Sequence, residues 1–152
     1  MRLVIQRVRS AAVSWDGSRN EIGSGVVVLV GVGPDDAEND ARRLAEKVAT
    51  MRIFKDATGR SNQSLEDVQG EALVISQFTL YADLSRGRRP GFTGAAAPEL
   101  AERLYGEFAR ALGARGITVR TGGFGADMDV ELVNQGPVTI VVSTDEWPTR
   151  QA

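Results

Sequence analysis

The chain contains no cysteine and no histidine. The first absence excludes disulfides, thiolate nucleophiles and cysteine-ligated zinc or iron–sulfur centres. The second excludes a Ser-His-Asp triad and imidazole general-base catalysis, and it removes the commonest ligand of catalytic zinc. Any chemistry must therefore use carboxylates, hydroxyls, amides, backbone groups, arginine or lysine, or groups carried by a substrate. Long apolar runs are also lacking. The longest, Val26 to Val32, falls far short of the roughly 20 residues a membrane-spanning helix needs. Met1 to Arg7 alternates polar and apolar residues and holds no continuous signal-peptide core. No membrane partner and a cytoplasmic location are therefore expected. Nor does one sign of charge dominate. With 18 basic against 20 acidic residues the net charge is −2, so the chain as a whole is no basic nucleic-acid binder.

The 152 residues, 42% of them hydrophobic, suffice for one domain over 1–152 with its own core and no metal or disulfide staple. Residues 1–9 and 10–15 read as strands, and Asp16-Gly17 as the turn of a hairpin returning through Glu21-Ile22. The β-branched run Val26 to Val32 reads as a central strand buried on both faces. Asp35 and Glu38 have capping-box spacing, and Ala37, Ala41, Leu44, Val48 and Met51 place a helix over 36–51. Residues 54–70 read as a loop, Glu71 to Tyr81 as a long strand and 82–97 as a second loop. Pro98 opens an amphipathic helix that ends at Gly113 to Gly116. Ile117 to Arg120, Met128 to Val133 and Val138 to Thr144 read as closing strands. The order β-β-β-α-β-α-β-β-β is α+β, with two helices on a mixed, mainly antiparallel sheet.

Phosphate-loop, dinucleotide and nucleophile-elbow motifs are absent. The Gly31-Val32-Gly33 pair is followed by Pro34-Asp35-Asp36, whose acids would repel phosphate, so it reads as a helix cap. Three segments stand out. Ser76-Gln77-Phe78-Thr79-Leu80 puts hydrogen-bonding side chains at the end of an apolar strand. Strand alternation sends Ser76, Phe78 and Leu80 to one face, and Gln77 and Thr79 to the other. Asn134-Gln135-Gly136-Pro137 reads by default as a plain turn. Arg86, Arg88 and Arg89 crowd three guanidinium groups into four residues, a pattern of either a solvated loop or a phosphate site.

Together these segments resemble the D-aminoacyl-tRNA deacylases (the D-tyrosyl-tRNA deacylase family), the chiral proofreading hydrolases of translation. The resemblance runs from Ile5-Gln6-Arg7-Val8 through Gly31-Val32, Arg52-Ile53-Phe54 and Ser76-Gln77-Phe78-Thr79-Leu80. It continues through Arg86-Gly87-x-Arg89-Pro90-x-Phe92, Thr121-Gly122-x-Phe124-Gly125-Ala126-Asp127-Met128 and Asn134-x-Gly136-Pro137-Val138-Thr139. It implies a barrel-like core, a homodimer, an aminoacyl-tRNA substrate and no cofactor. It implies a cis Gly136–Pro137 peptide inserted into the partner's site, where its carbonyls hold the substrate's α-amino group and leave no room for an L side chain. Such a filter works by exclusion and cannot exclude glycine, so glycyl-tRNA mischarged on tRNA-Ala is a further expected substrate. Arg7 is implied to brace the Gly-Pro element across the dimer.

Ser76, Gln77, Phe78 and Thr79 are the implied catalytic segment. The Phe78 and Thr79 N–H groups are candidate oxyanion donors, Thr79 is a positioning group and Gln77 shapes the pocket. The terminal ribose 2′-OH is implied to assist hydrolysis. Phe124 and Met128 are candidates to pack on the terminal adenine, and Arg86, Arg88 and Arg89 to meet phosphates. Three other readings carry distinct signatures. They are an L-alanyl-tRNA editing relative, a non-catalytic tRNA-binding homodimer, and a small-ester hydrolase acylated at Thr79.

Overall fold

The long Val26–Val30 run is apolar throughout because its strand has protein on both faces. The computed structural model describes residues 1–146, so the last six residues of the expected domain lie outside it. The first hairpin pairs β1 (Arg2–Trp15) with β2 (Ser18–Ile22), and β3 (Gly25–Gly31) follows. Helix α1 is Glu38–Thr50, and a small β4 (Phe54–Lys55) and β5 (Ser61–Gln63) hairpin forms inside the segment read as loop. β6 (Glu71–Ser76), α2 (Pro98–Gly113), β7 (Thr118–Thr121) and β8 (Asp129–Ser143) complete the chain.

The main sheet runs β2-β1-β3-β6-β7, with β8 also on β1. The β3–β6 and β6–β7 pairs are parallel and the rest antiparallel, so the sheet is mixed and nearly barrel-shaped. One core lies between the sheet and both helices, with Leu3, Ile5, Val28, Val74, Leu44 and Phe108 fully buried. The opposite face holds Val8, Ala11, Val13, Val27, Leu73 and Ile75. Adjacent β3 residues thus feed different cores, which is why no polar alternation marks the strand.

Two pairs of expected strands are each one strand. β1 is continuous from Arg2 to Trp15, and its pairing with β8 shifts between Val8 and Ser10. That bulge changes which parity points inward: Leu3 and Ile5 enter the helix-side core, whereas Val8, Ala11 and Val13 all enter the other. β8 is likewise unbroken through Asn134–Pro137, where a turn was expected.

α1 begins two residues later than the spacing suggests, and the Asp35–Glu38 box does not form. The Ala37 N–H instead donates to Asp40 Oδ2 at 2.9 Å. Asp36 is occupied by the Met1 ammonium and by the Gly33 N–H at 2.6 Å. Nor are Gly31 and Gly33 primarily a cap. A Cβ on Gly33 would sit 2.9 Å from the Tyr81 hydroxyl, and one on Gly31 would sit 3.0 Å from Leu80 Cβ. They are small because the segment after β6 packs onto them.

Charge ties the helices together. Glu107 of α2 accepts from Arg42 Nε of α1 at 2.7 Å and from Arg110 at 2.5 Å. The Arg110 and Arg42 guanidiniums, in that order, pull its carboxyl down to about 2 from an ordinary 4.5. A depressed carboxylate stabilises the fold above its unfolded pKa, and the gain is lost as pH falls toward the folded one. Allowing for solvent screening, Glu107→Gln is expected to cost at most about 1 kcal/mol at pH 7. Urea denaturation should show that difference shrinking as pH drops from 4.5 toward 2. A difference independent of pH would contradict this account.

Candidate active site

β6 ends at Ser76, and there the chain leaves the sheet. The Gln77 N–H still donates to Val30 O at 2.8 Å, but Phe78–Tyr81 wind into one turn of 3₁₀ helix. The expected strand to Tyr81 is therefore six residues plus a turn, and the alternation of faces stops at Gln77. Gln77 and Phe78, assigned to opposite faces, border the same cavity. The turn is held from below. Tyr81 is buried, Arg2 lies 4.3 Å over its ring, and Arg2 Nη1 donates to Leu80 O at 3.0 Å. Burial, then the neighbouring Asp36 carboxylate, pushes the Tyr81 hydroxyl's pKa upward, so it stays neutral.

The first internal bond of the turn is from Leu80 N–H to Gln77 O. The Phe78 and Thr79 N–H groups precede it, so neither has an acceptor within the turn. The Gln77 carboxamide donates to Thr79 Oγ1. An amide cannot take a proton from a hydroxyl at neutral pH, so the arrangement orients Thr79 and does not activate it.

The cavity beside this turn has a volume of about 560 Å³, within the ordinary range for small-molecule sites. Ser76, Gln77 and Phe78 form one wall, Phe124, Ala126 and Met128 another, and Phe92 stands at the rim. The Phe124 wall is set by close packing behind it. The Tyr105 hydroxyl, kept protonated by burial that raises its pKa to about 12, donates to Val74 O at 2.9 Å. Its ring lies 6.0 Å from that of Phe124. A Cβ on Gly122 would sit 2.5 Å from Met128 Sδ, so glycine there lets Met128 fold against the loop. A larger hollow of about 680 Å³ near Leu65 and Ile117 has no aromatic wall, and its Arg115–Glu66 pair is already satisfied.

Seven of the expected residues are not in the lining of the cavity beside the turn: Thr79, Arg7, Gly136, Pro137, Arg86, Arg88 and Arg89. Thr79 is exposed beside the cavity. Arg7, Gly136 and Pro137 are not on its wall at all. In the β1–β8 ladder Gln6 faces Thr139 and Val8 faces Asn134, so Arg7 alone opposes residues 135–138. Four residues against one must bulge outward, and Gly136 and Pro137 are exposed. The Gly136–Pro137 peptide is cis, as the resemblance implies. Arg7 is 4% exposed; its Nε donates to Gln135 O at 3.0 Å and its Nη1 to Ile53 O at 2.5 Å. These bonds tie Arg7 to the residue before Gly136 within its own chain.

Arg86, Arg88 and Arg89 are all exposed on a hairpin closed by Asp83 and Gly91, and make no ion pair among the described residues. Sequence reasoning did not select Phe92, Tyr105 or Asp127. Asp127 is the one ionisable side chain on the cavity wall among the described residues. Phe92 and Asp127 sat inside recognised motifs, but nothing in their own chemistry marked them.

The family model described as D-Tyr-tRNA(Tyr) deacylase matches residues 4–143. A D-aminoacyl-tRNA deacylase of Desulfatibacillum aliphaticivorans is 54% identical over 145 residues, covering 95% of this chain and 99% of that one. Among solved structures, the c-Myc DNA Unwinding Element Binding Protein superposes with a TM-score of 0.87 at 35% identity, covering 95% of this chain and 99% of that one. A structure described as a probable eukaryotic D-amino acid tRNA deacylase superposes at 0.83 with 18% identity, covering 93% and 97%, a likeness of fold.

Gly136 has φ +124°, and a Cβ on it would lie 3.1 Å from Arg7 Nη2. Gly136→Ala is therefore expected to cost about 1–3 kcal/mol of stability. Urea denaturation checks this. A cost near zero would mean that Arg7 does not hold the bulge in one conformation.

Proposed function

The chain belongs to the D-Tyr-tRNA(Tyr) deacylase family and is a hydrolase of carboxylic ester bonds, and from that premise we propose that it deacylates D-aminoacyl-tRNA by a site shared between two subunits. The observation that carries this reading is the separation of the two motifs. The cavity lies at Ser76–Phe78, while Gly136 and Pro137 project from the same chain without entering it. A second copy brings the missing part. β8 offers the surface for it, with Val133 53% and Val141 71% exposed. Gly136 and Pro137 then enter the partner's cavity, and their carbonyls hold the α-amino group so that an L side chain meets backbone. Glycine carries no side chain to clash, so glycyl-tRNA, including tRNA-Ala mischarged with glycine, is a second substrate.

An aminoacyl ester is already activated, so placement and oxyanion stabilisation are most of what the site must supply. Water adds to the ester carbonyl and the oxygen's developing charge meets the Phe78 and Thr79 N–H groups. The bond to the terminal ribose oxygen then breaks, and the proton lost by water ends on that oxygen. The substrate's 2′-OH assists that transfer in place of a protein base. Phe124 and Met128 pack on the adenine. Arg86, Arg88 and Arg89 meet phosphates, which gives an acidic protein a local site for RNA. The work is cytoplasmic, where aminoacyl-tRNA is made and used.

Thr79→Ala is expected to leave substantial activity, because the donors are backbone groups. Replacing the terminal 2′-OH by hydrogen is expected to cost far more. Single-turnover deacylation compares the two, and the reverse order, or a trapped acyl-Thr79, would restore a threonine nucleophile. Arg7→Ala is expected to retain cleavage of D-aminoacyl-tRNA and raise cleavage of the L-substrate at least about tenfold, roughly what 1.4 kcal/mol of lost discrimination gives. Assays with D-, L- and glycyl-tRNA check it. Wild-type cleavage of both enantiomers at similar rates would favour the L-alanine-editing relative.

A further inference from the structure

We propose that Phe78 and Phe92 form a stacking platform for the base of the nucleotide preceding the terminal adenosine in the substrate's single-stranded 3′ end. The proposal rests on the tRNA-deacylase reading above and extends it beyond the terminal aminoacyl-adenosine. Phe78 is 54% exposed and Phe92 37%. Their ring centroids are 5.0 Å apart at 71°, an edge-to-face pair. In that arrangement one ring presents its edge to the other's face, and the pair leaves aromatic surface open to a third ring. Both rings border the cavity, so whatever stacks there is continuous with a ligand inside.

The cations beside them select the ligand class. The Asp83–Gly91 pair, with bonds of 2.8 and 2.9 Å, closes the hairpin that carries Arg86, Arg88 and Arg89. The Asp83 carboxylate accepts from the Ser85 N–H at 2.8 Å, so that acid serves the hairpin's own turn. Phe92 is the next residue after this closure. Phe92 thus follows directly on the hairpin that carries three guanidinium groups, and Phe78 meets it from the neighbouring turn. An exposed aromatic face beside free cations is how single-stranded nucleic acid is held without sequence readout: the bases stack and the phosphates meet arginine. In the proposed function the terminal adenine is taken by Phe124 and Met128 of the same cavity lining, which leaves the exposed Phe78–Phe92 pair for the next base.

The test uses full-length D-aminoacyl-tRNA and the minimal substrate 3′-D-aminoacyl-adenosine. Phe92→Leu keeps apolar bulk and removes the ring face; Phe92→Trp keeps a ring. The leucine variant is expected to raise KM for the tRNA roughly tenfold, a stacking-sized loss, with kcat little changed, while the tryptophan variant restores it. On aminoacyl-adenosine the leucine variant should match wild type. A tRNA abasic at the nucleotide before the terminal adenosine should show the same KM loss with wild-type protein and no further loss with Phe92→Leu. Equal losses on both substrates, or additive losses in the abasic tRNA, would overturn the platform. If wild-type protein fails to cleave D-aminoacyl-tRNA, the deacylase reading falls by itself. The platform is then judged by binding of intact against abasic single-stranded 3′-end RNA, where equal affinity would overturn it.

Discussion

The structure turns on a buried guanidinium. Arg7 is a buried charge on a strand whose other buried residues are apolar, and it makes no ion pair among the described residues. A buried charge is tolerable only when its donors are used. Here they are aimed at two backbone carbonyls, Gln135 on β8 and Ile53 after α1. Those bonds fix where β8 departs from its ladder with β1, and so where Gly136 and Pro137 project. A lysine could not repeat this, because one ammonium lacks the planar fork that spans two acceptors.

In the proposed function the other half of the site needs little from its side chains. No imidazole or thiol exists in the sequence, and the backbone leaving the sheet at Gln77 supplies hydrogen-bond donors instead. That turn is rigid for reasons outside the cavity. Arg2, the Tyr81 ring and the missing Cβ atoms of Gly31 and Gly33 hold it from the opposite side. Donors fixed beforehand stabilise a developing oxyanion without reorganisation, which is where backbone groups serve as well as side chains. Gly136 and Pro137 lie off the cavity of their own chain, and the proposed function brings the two together through a second copy.

Both helices were legible in the sequence because their apolar residues recur at helical spacing over three or more turns. The continuity of β1 was not, since residues 9 and 10 are polar where the bulge exposes them. The same holds for β8, where Asn, Gly and Pro are turn formers that here build a bulge within a strand. The change from strand to 3₁₀ turn at Gln77 was hidden for a different reason. Phe78, Thr79 and Tyr81 all favour strands locally, and tertiary contacts to Arg2 and Gly31 override that preference. The proposed catalytic segment and the Gly-Pro element were legible only through family resemblance. Nothing in their composition distinguishes a site from a turn, and the arginine that braces them is far away in sequence.

The central claim is that cavity and filter come from different subunits, and a mixed dimer tests it most directly. One subunit would carry a damaged turn, Gly31→Ala with Gln77→Ala, and the other Arg7→Ala with an intact turn. If the filter acts on the partner, one of the two sites combines an intact cavity with an intact Gly136–Pro137 element. The mixed dimer then cleaves D-aminoacyl-tRNA at about half the wild-type rate and rejects the L-substrate. If cavity and filter belong to one subunit, the only working cavity has the freed filter, and L-aminoacyl-tRNA is cleaved at about half the rate of the Arg7→Ala homodimer. That second result, or a protein that stays monomeric at assay concentration while rejecting L-substrates, would contradict the account.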